Sequence, residues 1–287
     1  MKDKQKKVNE KPNNKKKNRA KVIVPVVIAL GLIGFGGYKV YSYVNDNYNA
    51  LRMASPVAER NLDENASIID KAKIVKNSKE EKDEVKEVTP NKELQELSPT
   101  MEKEYDDAKA VSKDVVGWIT IPGTNINYPV NYNGQPNYYL KHNWKNQKSW
   151  HGAISIDARN KGYQNWTLIN GHNMLDGIMF SQLLKYDNMS FAKEHPYVYL
   201  YKGNGDIASK YEVIGAVYVP QTVDFQLGDL TKEQMSQQID KLLSDKIYKI
   251  NEYNGNNILM LNTCLSRGKK RHILVITQEV IENNVPV

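Results

Sequence analysis

The chain has 287 residues, enough to bury a sizeable core in one or two domains, and a formal net charge of +7. The charge is unevenly spread: residues 1–44 carry 11 Lys/Arg and 2 Asp/Glu, net +9, whereas residues 45–287 carry 29 and 31, net −2. The larger part has no basic excess for a phosphate backbone to exploit, which argues against a nucleic-acid partner and against a charge-driven polyanion binder.

In chain order, the basic tail (1–21) is followed by an apolar run at 22–44, VIVPVVIALGLIGFGGYKVYSYV. Seventeen residues, Val22 to Tyr38, pass without a charge, and Tyr38, Tyr41 and Tyr43 suit an interfacial belt. At ~1.5 Å per residue a helix over this run spans a hydrocarbon core of ~30 Å. The run is long for a cleaved signal peptide and no small-x-small site follows it, so it reads as an uncleaved single-pass anchor. Positive charge on its N-terminal side predicts a cytoplasmic N-terminus and an extracellular remainder.

Residues 45–100 are charged and polar, and read as an extracellular stalk with partial helix. The folded domain is expected at 101–287. A helix precedes Gly117, and GWITIPGTNINYPV reads as two strands around a Pro-Gly turn. GAISID, WTLIN, YVYLY, YEVIGAVYV, NILMLNTC and HILVITQEV are further short strand-type runs. MFSQLLKY and TKEQMSQQIDKLLSDK lie between them. The latter has Met235, Ile239, Leu242 and Leu243 at helical spacing behind Thr231, a candidate N-cap. Many short strands with few helices predict a mainly β domain, a closed barrel or sandwich with inserted helices.

Cys264 is the chain's one cysteine. Outside the cytoplasm it has no internal disulfide partner, which leaves a buried small hydrophobe, an intermolecular link or a reactive thiol. A nucleophilic thiol needs a base, usually histidine. Of the five histidines, His142 and His151 sit in a polar loop, and His195 precedes Pro196 in a turn. His272 opens a strand beside Arg271, where repulsion disfavours its cation. His172 follows an apolar strand and a glycine and leads into a helix-like segment, the position of a site-forming loop. A positive donor for a developing oxyanion is available from Arg267 or Arg271. If 258–263 and 272–277 pair as a hairpin, Arg271 falls roughly opposite Cys264 and Arg267 falls at the exposed loop tip. The lone cysteine gives no metal-ligand cluster, and no metal or cofactor is expected.

Taken together, GWITIPGTNINYPV, NYYLKH, NGHNMLDGIMFSQLLKY, HPYVYLY and LNTC followed by RHILV resemble the class B sortases over about residues 110–287. These are membrane-anchored cysteine transpeptidases of Gram-positive bacteria. The resemblance implies an eight-stranded barrel with N-terminal helices and a helix inserted before the cysteine strand. It implies His172, Cys264 and Arg271 as the catalytic set, and contacts to a sorting peptide from Leu140, Asn262 and the motif threonine, Thr263. Two positions depart from the usual pattern: Met260 stands where the cysteine motif normally begins with threonine, and Pro136 where relatives often have asparagine.

The implied reaction is cleavage of a C-terminal sorting signal after threonine through a thioacyl-enzyme. The carried protein then passes to an amine of peptidoglycan or its lipid-linked precursor, with hydrolysis as a side activity. The partners are then secreted proteins bearing a sorting signal, the wall, and the membrane through the N-terminal helix. A pilin-linking sortase and a cysteine protease share the thioacyl step. A non-catalytic surface module is the rival of a different class, and Met260 is its one support.

Overall fold

A computed structural model describes residues 90–281 apart from 204, 206, 222, 223 and 266–270. The expected tail, the expected anchor at 22–44 and most of the expected stalk lie outside the described residues, as does Arg267. Among the described residues no helix is long and apolar enough to cross a membrane.

Among the described residues nine strands form the domain: β1 (Val115–Thr120), β2 (Asn127–Asn131), β3 (Ser155–Ile156), β4 (Trp166–Asn170), β5 (Tyr197–Tyr201), β6 (Ser209–Pro220), β7 (Lys246–Lys249), β8 (Ile258–Cys264) and β9 (Arg271–Glu279). Their order is β5-β1-β2-β3-β4-β8-β9-β6-β7, and β5 also pairs with β6. That last pairing closes eight strands into a barrel and leaves β7 as an edge on β6, in agreement with the expected eight-stranded fold. Most ladders are antiparallel. The β4–β8 ladder is parallel and in full register from Trp166↔Ile258 to Asn170↔Asn262.

Alternation along each strand sorts its side chains between two faces. On β8, Leu259 and Leu261 join Ile119, Val130, Ile169, Leu200, Val213, Ile273 and Val275 in one cluster. All eight barrel strands contribute to that cluster, so it is the barrel interior. Ile258 and Met260 point outward with Trp166, Leu168, Leu274 and Ile276.

The outer face is covered by a helix over Lys232–Leu243, through the predicted Met235, Ile239, Leu242 and Leu243. Thr231 caps that helix: its side chain accepts from the Gln234 N–H, and the Gln234 side chain accepts from the Thr231 N–H. A longer helix, α1 (Pro90–Val111), lies across β1 and β5. Leu94, Leu97, Met101, Tyr105 and Ala108, at spacings of three and four, pack with Trp118, Tyr199 and Tyr201. This helix begins inside the segment expected to be stalk, so the ordered domain reaches N-terminal of residue 101. A short helix, α2 (Met189–Glu194), precedes β5, and the last one, α3 (Lys232–Leu243), lies between β6 and β7.

Candidate active site

The parallel β4–β8 pair brings the two sequence-distant parts of the site side by side. At its C-terminal end the Gly171 N–H donates to the Asn262 carbonyl at 3.1 Å, and the Thr263 hydroxyl donates to the Gly171 carbonyl at 2.8 Å. The residue before His172 is thus tied to the residue before Cys264. Gly171 has to be glycine here: a Cβ would come within 2.5 Å of Ile154 Cδ1 and 2.7 Å of Phe180. The loop beyond is clipped to the other side of the cysteine, where Asn173 Nδ2 donates to the Leu265 carbonyl at 3.1 Å.

These strand ends border a cavity of about 630 Å³. Cys264, His172, His272, Asn262, Asn170 and Leu140 all face it, with Asp157, Arg159 and Phe225 also on its wall. Cys264 is partly exposed, and burial raises its thiol above the ordinary value, so the resting sulfur is protonated at neutral pH. His172 Nε2 lies 3.0 Å from the Leu140 carbonyl. A carbonyl only accepts, so this nitrogen carries hydrogen. Gly152, at φ +63°, lets a neighbouring loop approach the His172 ring; a Cβ there would lie 2.9 Å from its Cδ2.

The hairpin register differs by one residue from the sequence expectation. Cys264 pairs with His272, not Arg271, and the Leu265 N–H donates to the Arg271 carbonyl at 3.0 Å. Because neighbours on a strand alternate, Arg271 is turned to the other face. Its guanidinium lies 5.4 Å from the centre of the Tyr218 ring, and it is absent from the cavity wall. The structure therefore brings His172, Cys264, Leu140 and Asn262 to one cavity and leaves Arg271 outside it. Thr263 borders the cavity, but it is 1% exposed and its hydroxyl is committed to Gly171. It is a strut between the two strands, and the expected contact from its side chain to a peptide is not available. Met260 shares the face of Cys264 but is fully buried beneath α3, away from the cavity.

His272 is the residue that sequence reasoning passed over. Its Nε2 lies 3.5 Å from Cys264 Sγ and its Nδ1 lies 3.0 Å from Asn262 Oδ1. Burial lowers its pKa, so it rests neutral. The available signal was alternation: Asn262 and Cys264 on one strand face His272 and Leu274 on the other. The remaining histidines are held by structural partners: His142 by the Tyr138 carbonyl, His151 by Asp176, and His195 by the Pro122 carbonyl. Among the described residues no three His, Cys, Asp or Glu side chains gather as metal ligands.

No family model matches the sequence. The chain is 30% identical over 255 residues to Sortase B of Listeria monocytogenes, covering 83% of this chain and 87% of the relative. It is 29% identical over 183 residues to Sortase B of Staphylococcus aureus, covering 60% and 73%. Among solved structures, Clostridium perfringens sortase B matches with a TM-score of 0.55 and 26% identity over 61% of this chain and 99% of that one. A Staphylococcus aureus sortase B–substrate complex matches in fold with a TM-score of 0.57 at 23% identity, over 65% and 91%.

Proposed function

Because the chain belongs to the class B sortases, a family of cysteine transpeptidases, we propose that it joins exported proteins to the cell wall. In this reading it cleaves a C-terminal sorting signal after threonine and passes the new acyl end to an amine of peptidoglycan or its lipid-linked precursor. The observation that carries it is the convergence of Cys264 and His172 on one cavity, from strands tied together across 92 residues of sequence.

The sorting peptide lies in the cavity against Leu140 and Asn262. Cys264 Sγ attacks the carbonyl after the threonine, and the oxyanion is met by a positive donor. The family assigns that donor to Arg271, which acts only after its guanidinium leaves the Tyr218 ring. His172 as imidazolium protonates the departing amine, leaving a thioacyl-enzyme. The hydrogen already on His172 Nε2 suits the acid half of this role. The acceptor amine then attacks with His172 as base, and water in its place gives hydrolysis. No cofactor takes part. The apolar run at 22–44 anchors the enzyme outside the cytoplasm, where substrate and wall precursor both arrive, and raises their effective concentration.

The test is intact-mass analysis of the full chain in detergent, mixed with short threonine-containing sorting-type peptides, with and without a glycine-based amine. His172→Ala, Cys264→Ala and Arg271→Ala run beside it. A mass gain absent from Cys264→Ala, with the amine ending on the peptide, supports transpeptidation. Hydrolysed peptide alone despite abundant amine supports a protease, transfer only to lysine side chains supports pilin linking, and neither adduct nor cleavage supports a non-catalytic module.

A further inference from the structure

Asp157 is the fixed point from which the protonation of the site follows. Burial alone raises its carboxyl pKa, but hydrogen bonds from the Arg159 side chain and backbone and from Asn170, with the Arg159 charge, outweigh that and bring it below the usual value. Arg159 Nε and a terminal nitrogen reach it at 2.9 and 3.2 Å. An ionised carboxylate only accepts hydrogen bonds. Asn170, 3.0 Å away, must turn its Nδ2 toward Asp157 and so its Oδ1 toward Asn262. Asn262 then donates Nδ2 to that oxygen at 2.7 Å and presents its own Oδ1 to His272. The 3.0 Å contact closes as a hydrogen bond only if His272 Nδ1 carries the hydrogen. Nε2 is left with its lone pair, aimed at Cys264 Sγ at 3.5 Å.

We propose that His272 is a second catalytic histidine, the base that takes the Cys264 proton as the sulfur attacks, held in the competent tautomer by the chain Asn262–Asn170–Asp157. The inference rests on the reading of Cys264 as nucleophile. His172, whose Nε2 donates to Leu140, is left for the leaving group, so deprotonation of the nucleophile and protonation of the leaving group fall to different rings.

The bookkeeping of protons and bonds closes. Sγ–H breaks as Nε2–H of His272 forms, Sγ–C forms, and the scissile C–N bond breaks with a proton from His172. In the second half the acceptor amine attacks the thioester carbon, its proton goes to His172, and the departing sulfur recovers its proton from His272. No further reactant is consumed. Among the described residues, the titratable or charged groups lining this cavity with the ring are Cys264 on β8, and Tyr138, Tyr139, Asp157, Arg159 and His172 on its wall. Arg271 precedes His272 and faces the other way, and the opposing position on β6 is the apolar Val219.

The experiment uses p-nitrophenyl acetate on the full chain in detergent, because p-nitrophenolate leaves without a proton and isolates the base from the acid. The Cys264-dependent burst, corrected with Cys264→Ala, is expected to fall ~100-fold in His272→Gln. The low-pH limb of the wild-type burst is expected to vanish in His272→Gln, leaving only the rise that follows the thiol. A burst in His272→Gln with wild-type rate and pH profile overturns the proposal. A second, independent reading is the ¹⁵N spectrum of His272 in the folded wild-type protein. The Nδ1–H tautomer is expected, with mixing of tautomers in Asp157→Asn, and an Nε2–H tautomer in the wild type overturns the proposal. In parallel peptide assays, processing by Cys264→Ala would remove the proposed function and this inference with it. Loss of processing in Cys264→Ala and His172→Ala with full activity in His272→Gln would remove this inference alone.

Discussion

Thr263→Val removes one hydroxyl and keeps the shape of the side chain. The hydroxyl is buried and donates at 2.8 Å to the Gly171 carbonyl. Deleting it forfeits a net hydrogen bond and leaves that carbonyl without its donor, for a combined cost of roughly 1–3 kcal/mol. For a domain of this size the melting temperature is expected to fall by roughly 2–12 °C. The same bond holds the backbone that carries His172, so peptide processing should lose turnover, with substrate affinity little changed. Urea unfolding of wild type, Thr263→Val and Thr263→Ser gives the stability term, with equal slopes required for a fair comparison. Steady-state kinetics on the same three proteins gives the rest. Thr263→Ser keeps the donor and should retain most of the turnover. A Thr263→Val enzyme with unchanged stability and a raised KM would refute the strut and restore Thr263 as a peptide contact.

Gly152→Ala should cost about 1–3 kcal/mol from its positive φ and displace the His172 ring, read as lower stability together with lower turnover. Thr231→Ala removes the capping box of α3 and should cost about 1 kcal/mol in thermal unfolding, with Cys264 alkylation unchanged. Asp157 has a depressed carboxyl pKa when folded, so its contribution is fully present above the ordinary value of 3.8 and lost as pH falls through the lower folded value. The stability gap between wild type and Asp157→Asn should therefore be wide at pH 6 and narrow below pH 3.8, measured by urea unfolding across that range.

Strands were legible wherever apolar alternation was strong. WTLIN, YVYLY and NILMLNTC all became barrel strands, and the helix at Lys232–Leu243 followed from its four apolar positions. The start of α1 was obscured because Leu94 and Leu97 stand alone among charges, and only packing against Trp118 and the β5 tyrosines gives them a face. β7 has no signal in the sequence because KIYK has too few apolar residues to declare a strand; the edge of β6 supplies the pairing. In the site, Cys264 and His172 were visible as residue types in telling places. The hairpin register was not, because a connecting loop of charged residues does not fix which residue opposes the cysteine. That single step exchanged Arg271 for His272. Adjacency to Arg271 was read as repulsion, whereas a strand sends neighbours to opposite faces, and the guanidinium rests on Tyr218 instead.

The parallel ladder between β4 and β8 also sets when the enzyme becomes reactive. Its two strands are separated by α2, β5, β6, α3 and β7, so their pairing is among the long-range contacts that close late in folding. Until it forms, Asn170 is not held against Asn262, and the backbone before His172 is not tied to the strand that carries Cys264. A chain whose barrel is still open therefore lacks the assembled site, and acyl-transfer competence is expected to arrive with barrel closure. Refolding followed in parallel by fluorescence and by Cys264 acylation should show the second signal trailing the first.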